Sequence, residues 1–371
     1  MIDLKKISHT PAFVLEYELL EKNLSIIEQL QKDLPLSFLF ALKGFAMHAV
    51  FPDLAAVASG ATASSLNEAL LASPYFNEIH AYAPVYQKNE FETIASMATH
   101  ITFNSVSQLE TYRDRSSNAQ LGLRINAMYS TVSTALYDPC SYGSRLGILP
   151  KDLPQLPEGV SGLHSHNLCE SGAQELAHTL SSIEKHWGHL LGDIEWLNLG
   201  GGHLVTRKGY DLDLFRKTIM DFHDRYPHIK LILEPGAAFV WETGYLVTEI
   251  LDIVDNGGIK TLMIDASFAA HMPDCLEMPY SPNVIGAQLE ESGVYRLGGS
   301  SCLAGDWVGS YTFEKAPKIG DHLVLCDMMH YTMVKTTMFN GIALPDIGIY
   351  RDKRYTVVKT FGFDDYQRRL S

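Results

Sequence analysis

Lys43 stands at the end of an apolar run, Leu36-Ser37-Phe38-Leu39-Phe40-Ala41-Leu42, and is followed by Gly44-Phe45. Lysine is seldom inside a protein unless it is paired or chemically used. An amine delivered to the end of a buried strand loses solvation, which lowers its pKa and suits it to covalent chemistry with carbonyl compounds. A lysine whose stem snorkels out of a strand end is the alternative. Further groups could work with such an amine. Leu199-Gly200-Gly201-Gly202 offers backbone N–H groups that can close round an anion such as a phosphate, although a glycine triplet is also an ordinary loop. Glu234-Pro235-Gly236 supplies one carboxylate after another apolar run, where a lone glutamate serves equally as a structural partner. His164-Ser165-His166 places alternate imidazoles on one face of an extended segment. Histidines at that spacing could begin a metal site, but no third ligand of matching spacing is evident, so no metal is expected and a flat ring for an aromatic cofactor is preferred. A lysine, a phosphate cradle, a carboxylate and an imidazole together are the set that pyridoxal 5'-phosphate requires.

Short apolar runs precede each of these groups and alternate with helical segments. Candidate strands lie at 36–42, 57–63, 79–84, 100–103, 121–126, 161–166, 194–199 and 230–234, and strand–helix alternation of this kind specifies a parallel sheet. Eight such strands close a barrel, in which catalytic groups sit at the C-terminal strand ends and phosphate is held after the seventh and eighth. Leu20, Leu24, Ile27 and Leu30 keep helical spacing, Ser65-Leu66-Asn67-Glu68 is a capping box, and 172–190 and 211–226 read as amphipathic helices. After about residue 240 the texture becomes β-type. Tyr245 to Val254 is rich in β-branched residues and ends at the turn signal Asn256-Gly257-Gly258, and Lys318-Ile319-Gly320-Asp321 precedes the strand His322-Leu323-Val324-Leu325. The expected class is α/β: a (β/α)8 TIM-like barrel over 10–240, then an all-β domain over 241–371 that residues 1–9 are able to join.

The chain has 371 residues, 46% hydrophobic and 19% charged, which suits a globular protein with a substantial core and one large plus one smaller domain. Its formal net charge of −14 opposes nucleic acid and anionic membrane surfaces and is compatible with a cationic small substrate. There is no apolar run of about 18 residues, and Met1-Ile2-Asp3-Leu4-Lys5-Lys6 lacks the apolar region of a signal peptide, so a cytoplasmic location is expected. Cys140, Cys169, Cys275, Cys302 and Cys326 are an odd, scattered set that indicates neither a disulfide framework nor a zinc site and leaves room for a working thiol.

In chain order, Ala41-Leu42-Lys43, His164-Ser165-His166, Gly200-Gly201-Gly202, Glu234-Pro235-Gly236, Ser301-Cys302-Leu303-Ala304-Gly305-Asp306 and His330-Tyr331-Thr332 make the sequence resemble the fold-type III pyridoxal-phosphate decarboxylases, with their alanine racemase-like barrel, over nearly its whole length. Leu168-Cys169-Glu170, His271-Met272-Pro273-Asp274 and Phe339-Asn340-Gly341 make it most similar to the carboxynorspermidine/carboxyspermidine decarboxylases within that superfamily. Diaminopimelate-type or ornithine-type decarboxylases are the alternatives. A pyridoxal-phosphate carrier is more remote, because carriers lack the second domain and its cysteine loop.

The resemblance implies that Lys43 holds the cofactor covalently, that His166 stacks on its ring, that Gly200, Gly201, Gly202 and Tyr331 bind its phosphate, and that Glu234 pairs with its ring nitrogen. It implies too that Cys302 returns a proton to the substrate carbon after CO2 leaves, on a loop that enters the active site of the other protomer of a homodimer. The implied substrate is a carboxylated polyamine, converted to norspermidine or spermidine and contacted by Asp274, Glu277, Asp306, Ala237 and Cys302. Some positions depart from relatives. Leu303 follows Cys302 where diaminopimelate decarboxylases carry an acidic residue, and Thr62 and Cys169 replace an aspartate and a phosphate-binding serine of ornithine decarboxylases. Ala237 supplies neither the arginine nor the glutamate that relatives place there. Arg145, in Ser144-Arg145-Leu146-Gly147, is either an active-site cation or half of a structural ion pair.

Overall fold

After a first strand, β1 (Ala12–Glu16), the apolar runs form eight parallel strands: β2 (Leu36–Ala41), β3 (Gly60–Ala63), β4 (Ile79–Tyr82), β5 (His100–Phe103), β6 (Gln120–Arg124), β7 (Val160–His164), β8 (Trp196–Asn198) and β9 (Lys230–Leu233). Each pairs with the next and β9 pairs back to β2, so the barrel is closed. The computed structural model describes residues 2–371 except 117, 133 and 134. The barrel belongs to a unit spanning Asn23–Phe239, and the chain through Lys22 groups with Val240–Ser371. One expected strand is shorter than its apolar run: 57–63 pairs only from Gly60, because Pro52 opens a helix, Phe51–Val57, that buries Phe51 and Leu54 and ends at Ala58. The expected helices appear as Ala173–Trp187 and Leu212–Arg225. Ser65 caps the helix Leu66–Ala72, with the Glu68 N–H donating to Ser65 Oγ (3.2 Å) and Glu68 Oε2 accepting from the Ser64 N–H (2.6 Å).

A tryptophan fills the barrel interior. Trp196 is buried, and its indole lies over glycines on the two preceding strands: a β-carbon at Gly162 would fall 1.9 Å from Trp196 Cε2, and one at Gly122 would fall 2.2 Å from Cη2. His80 and His100 pack beside the indole, with ring centroids 6.1 and 5.4 Å away. Leu39 and Ile232 join the same cluster. The barrel is therefore packed solid near the N-terminal ends of its strands, and polar side chains collect at the C-terminal mouth.

The remaining strands are β10 (Gly244–Asn256), β11 (Ile259–Ile264), β12 (Ala287–Leu289), β13 (Tyr295–Gly298), β14 (Trp307–Phe313), β15 (His322–Cys326), β16 (Asp346–Arg351) and β17 (Arg354–Lys359). They form a mixed sheet in the order β12-β14-β13-β11-β10-β1-β16-β17, with β15 also on β10. Asn256 faces Ile259 across a two-residue turn in which Gly257 and Gly258 have φ of 61° and 85°, a conformation that glycine accepts without strain. β1 runs antiparallel to β10 and parallel to β16, so this segment, expected with the barrel from residue 10, belongs to the mixed sheet. Its inward residues Ala12 and Val14 share a core with Ile2, Ile7, Val247, Val324 and Tyr350. Short helices at Phe268–His271, Pro273–Glu277, Thr332–Lys335 and Phe363–Leu370 interrupt the β-type texture. Among the described residues no helix is long and apolar enough to cross a membrane.

The glycine–tryptophan packing makes a direct prediction. Gly162→Ala should lower stability by about 1–3 kcal/mol, the range for overpacking a tight core. Gly192→Ala, where nothing lies within 4 Å of a built β-carbon, should change it by less than about 0.5 kcal/mol. Urea unfolding of the two variants checks this, and equal stabilities would show that Trp196 moves aside without cost.

Candidate active site

Lys43 follows β2 and Glu234 follows β9, and these strands are neighbours in the closed barrel. Their turns meet through glycines. A β-carbon at Gly44 would lie 3.2 Å from Gly236 Cα, and one at Gly236 would lie 2.7 Å from the Ala41 carbonyl oxygen. The strand residues Phe38, Leu39 and Phe40 are buried, as their apolarity requires, but Lys43 itself is exposed. The buried amine expected from the sequence is corrected by this turn, in which the Gly44 N–H donates to the Ala41 carbonyl (3.1 Å) and carries Lys43 past the apolar layer. Its charge is felt by His166, Glu68 and Cys169.

Glu234 is only 7% exposed. Asn198 Nδ2 donates to its Oε1 at 2.6 Å and the Thr62 hydroxyl donates to the same carboxyl group. Two imidazoles flank it, with His164 Nε2 3.7 Å from Oε2 and His80 Nδ1 4.0 Å from Oε1. Burial pushes the Glu234 pKa up to about 7, against the Asn198 and Thr62 hydrogen bonds and the charge of Arg124. Burial, with Arg124 and His80 adding to it, holds His164 well below the usual histidine range, and neither of its ring nitrogens has a hydrogen-bond partner. The ring is neutral.

His166 is also kept neutral, first by burial and then by the charges of Lys43 and Arg124. Its Nδ1 accepts from the Gly201 N–H (2.8 Å), and its carbonyl accepts from Arg124 Nη2 (2.9 Å). A β-carbon at Gly200, where φ is 66°, would lie 2.4 Å from His166 Nδ1, and one at Gly202, where φ is 88°, would lie 2.2 Å from the Leu168 carbonyl oxygen. The Gly200 N–H donates to Asn198 Oδ1 (2.8 Å). Two N–H groups of the expected anion cradle are thus engaged within the loop, and the triplet's glycines are required as much by close approach to His166 as by any ligand. Ala237 is buried at the start of the helix Ala237–Val240 and offers no polar side chain. Arg145 is exposed, and its charge acts on Tyr82.

Thr62, Asn198, His164 and Arg124 complete the mouth, and only Thr62 and His164 stand out in the sequence. Asn198 and Arg124 each close an apolar strand, which is the signal that singles out Lys43. Arg124 is buried, with Nη1 donating to the Tyr82 hydroxyl and its guanidinium 4.8 Å from that ring.

The other expected residues lie on the sheet unit. Cys302 is exposed. Its N–H donates to Asn340 Oδ1 (2.9 Å). Asp306 is buried and fully engaged: Oδ2 accepts from Ser267 Oγ (2.9 Å) and the Ser301 N–H (3.0 Å), and Oδ1 accepts from the Ala269 N–H (2.9 Å). Asp306, expected as a substrate contact, holds the Cys302 loop through the Ser301 N–H and ties it to Ser267 and Ala269. Asp274 differs. Its Oδ2 accepts from Tyr280 (2.6 Å) and Thr332 (2.9 Å), whereas its buried Oδ1 has no hydrogen-bond partner among the described residues. Glu277 pairs with Lys335. Tyr331 precedes the helix Thr332–Lys335 with φ of 52° and sets its ring edge-on to His330.

The Glu234 burial predicts a pH dependence. Its folded-state pKa lies above the ordinary 4.5, so the folded protein holds an extra proton between about pH 4.5 and 7 and loses stability as pH rises through that window. Glu234→Gln removes this slope. In protein stripped of cofactor, the variant should gain on wild type by up to about 3 kcal/mol between pH 5 and pH 8 in urea unfolding. A constant difference at both pH values would place the carboxyl in contact with water.

Residues 57–329 match the family model described as pyridoxal-dependent decarboxylase, C-terminal sheet domain. Over 368 residues, 97% of this chain and 95% of the relative, the sequence is 51% identical to carboxyaminopropylagmatine decarboxylase of Synechocystis sp.. It is 38% identical over 376 residues, 97% of this chain and 98% of the relative, to carboxynorspermidine/carboxyspermidine decarboxylase of Campylobacter jejuni. The crystal structure of carboxynorspermidine decarboxylase complexed with norspermidine, also from Campylobacter jejuni, superposes with a TM-score of 0.90 at 37% identity, covering 97% of this chain and all of that one. The chain belongs to the pyridoxal-dependent decarboxylase family.

Proposed function

We propose that this protein is a cytosolic homodimeric carboxy-lyase that removes CO2 from a carboxylated polyamine, carboxynorspermidine or carboxyspermidine, to give norspermidine or spermidine. The observation that carries this reading is near-full-length identity of 51% and 38% to decarboxylases named for carboxylated polyamine-type substrates. The barrel mouth fits pyridoxal 5'-phosphate by the chemistry of its donors. Lys43 supplies an accessible amine for the cofactor aldehyde, and Glu234 a buried carboxyl that can hold or yield a proton toward a ring nitrogen. His166 supplies a neutral flat ring, and Gly202 supplies a donor for the phosphate.

Bound pyridoxal phosphate supplies an electron sink for the pair left on the substrate carbon when CO2 departs. Glu234, poised near neutrality, is ionised by a partner that carries positive charge, and Asn198 and Thr62 keep its oxygens oriented. The exposed Cys302 thiol gives a proton to the substrate carbon on a loop that Asp306 and Asn340 hold in shape. Asp274 Oδ1, buried and without a donor, accepts from a substrate ammonium group, and Glu277 exchanges Lys335 for the same kind of partner.

A second reading concerns the far end of the substrate. Identity is higher to the carboxyaminopropylagmatine enzyme than to the carboxynorspermidine enzyme, and agmatine ends in a guanidinium where norspermidine ends in an ammonium. CO2 release from carboxynorspermidine, carboxyspermidine, carboxyaminopropylagmatine, diaminopimelate and ornithine separates these. At least one of the first three should exceed the last two by about 100-fold in kcat/KM, roughly 3 kcal/mol of transition-state discrimination. Preference for diaminopimelate or ornithine would overturn the assignment, and the guanidino substrate leading the amino ones would select the second reading.

Lys43→Ala should abolish turnover, and borohydride treatment of the loaded wild type should attach the cofactor to Lys43; attachment at another lysine refutes the role. If the dimer shares its sites, mixing inactive Lys43→Ala and Cys302→Ala chains should restore about a quarter of wild-type activity through random pairing of symmetric protomers. No recovery after verified subunit exchange means that each site is built from one chain.

A further inference from the structure

The barrel interior beneath Glu234 carries polar groups that the proposed reaction does not use. Glu78 precedes β4 at the N-terminal rim, where its side chain is 23% exposed and Lys230 Nζ lies 3.3 Å from Oε1. His80, two residues on, is buried; its Nε2 lies 2.9 Å from the same Glu78 Oε1, and its Nδ1 lies 4.0 Å from Glu234 Oε1. Burial works against ionisation of Glu78, but the His80 hydrogen bond and the Lys230 ammonium outweigh it and bring its pKa down to about 2. Burial lowers the His80 pKa despite Glu78, so the ring is neutral. A neutral imidazole beside a carboxylate carries its proton on the nitrogen that faces the carboxylate, here Nε2, and turns the lone pair of Nδ1 toward Glu234. The stacked ring of His100 (3.8 Å between centroids) and the indole of Trp196 hold the His80 ring plane.

We propose that His80 is a positioning residue for Glu234, presenting an unprotonated Nδ1 whose tautomer is fixed by Glu78 at the opposite rim of the barrel. The other groups that face Glu234 are Asn198, Thr62, His164 and Arg124. His164 comes nearer, but with neither ring nitrogen hydrogen-bonded its tautomer is not set and no path leads on from it. A metal ion is not the role of this cluster: although Glu78, His80 and His100 bring ligand atoms within 4.8 Å of one another, the Lys230 ammonium already occupies Glu78, and face-to-face rings share no in-plane direction for a common ion. His80 gives Glu234 an exit for its proton. An approach of about 1 Å brings Nδ1 to the roughly 3 Å of a hydrogen bond. The proton of Glu234 then passes to Nδ1, the proton on Nε2 passes to Glu78, and Glu78 releases it to water at the rim. Glu234 is left ionised and His80 neutral in its other tautomer. The value of this exit to catalysis rests on the role proposed for Glu234 above, but the coupling itself does not.

Nitrogen-15 shifts of the histidine rings in the full-length protein, without added cofactor or substrate, test the coupling separately from the reaction. At neutral pH the His80 proton should reside on Nε2, and the Nδ1 shift should follow a transition near pH 7 that disappears in Glu234→Gln. In Glu78→Ala the His80 tautomers should mix, and the Glu234 transition should fall by about one pH unit, because a donating Nδ1–H favours the carboxylate. The proposal is overturned if the proton sits on Nδ1 in the wild type, if His164 alone responds to Glu234, or if Glu78→Ala leaves both tautomer and transition where they were.

Discussion

Asn198 donates a 2.6 Å hydrogen bond to a Glu234 carboxyl group that is almost without access to water, and the mouth of the barrel is organised by that burial. A carboxylate taken out of water must be hydrogen-bonded or must keep its proton. Here the donors are an amide and a hydroxyl, both neutral, while Arg124 acts on it through its charge. The group therefore rests close to its midpoint at neutral pH. The same Asn198 side chain accepts from the Gly200 N–H through Oδ1, so one amide fixes both the carboxyl and the start of the glycine loop. That loop then passes close enough to His166 that a side chain at Gly200 has no room. One residue ties the ends of β8 and β9 together, and the Gly201 N–H carries the link on to His166.

Much of this was legible in the sequence wherever a local pattern suffices. Strand spacing, the capping of Leu66–Ala72 and the Asn256-Gly257-Gly258 hairpin depend on residues within a few positions of one another, and the pattern of apolar runs gives them directly. What was not legible depends on which strands become neighbours. Gly122 and Gly162 read as weak points in strands until Trp196 is seen to need their space. β1 falls within the span 10–240 expected to form the barrel, yet its partners β10 and β16 lie more than 200 residues further along the chain. Lys43 shows the same limit at the scale of one turn: the apolar run before it is buried as expected, but the Ala41–Gly44 hydrogen bond decides that the amine itself is not.

The aspartates of the sheet unit show how hydrogen-bond capacity separates residues that composition treats alike. Asp306 accepts three hydrogen bonds, from Ser267, Ala269 and Ser301, and removing it would leave the buried Ser267 hydroxyl and the Ala269 and Ser301 N–H groups without this acceptor. Its work is internal. Asp274 makes two hydrogen bonds through one oxygen and none through the other, although that second oxygen is buried. A buried acceptor without a donor costs on the order of 1–3 kcal/mol, a cost that a hydrogen-bond donor placed against it would offset. The sequence offered Asp274, Glu277 and Asp306 as equals; satisfaction of lone pairs ranks them.

Thr62 makes the corresponding argument in the barrel. A carboxylate in place of Thr62, beside Glu234, would force the two to share a proton, since like charges at such range cannot both ionise in a buried site. Threonine instead donates its hydroxyl to Glu234 and adds no charge. The Glu234 proton is then governed by burial, by Arg124 and by the neutral imidazoles of His164 and His80, which do not compete for it as a second acid would. A site with one titrating carboxyl can ionise in a single step when a positively charged partner arrives, and in this barrel the threonine at position 62 leaves Glu234 as that one group.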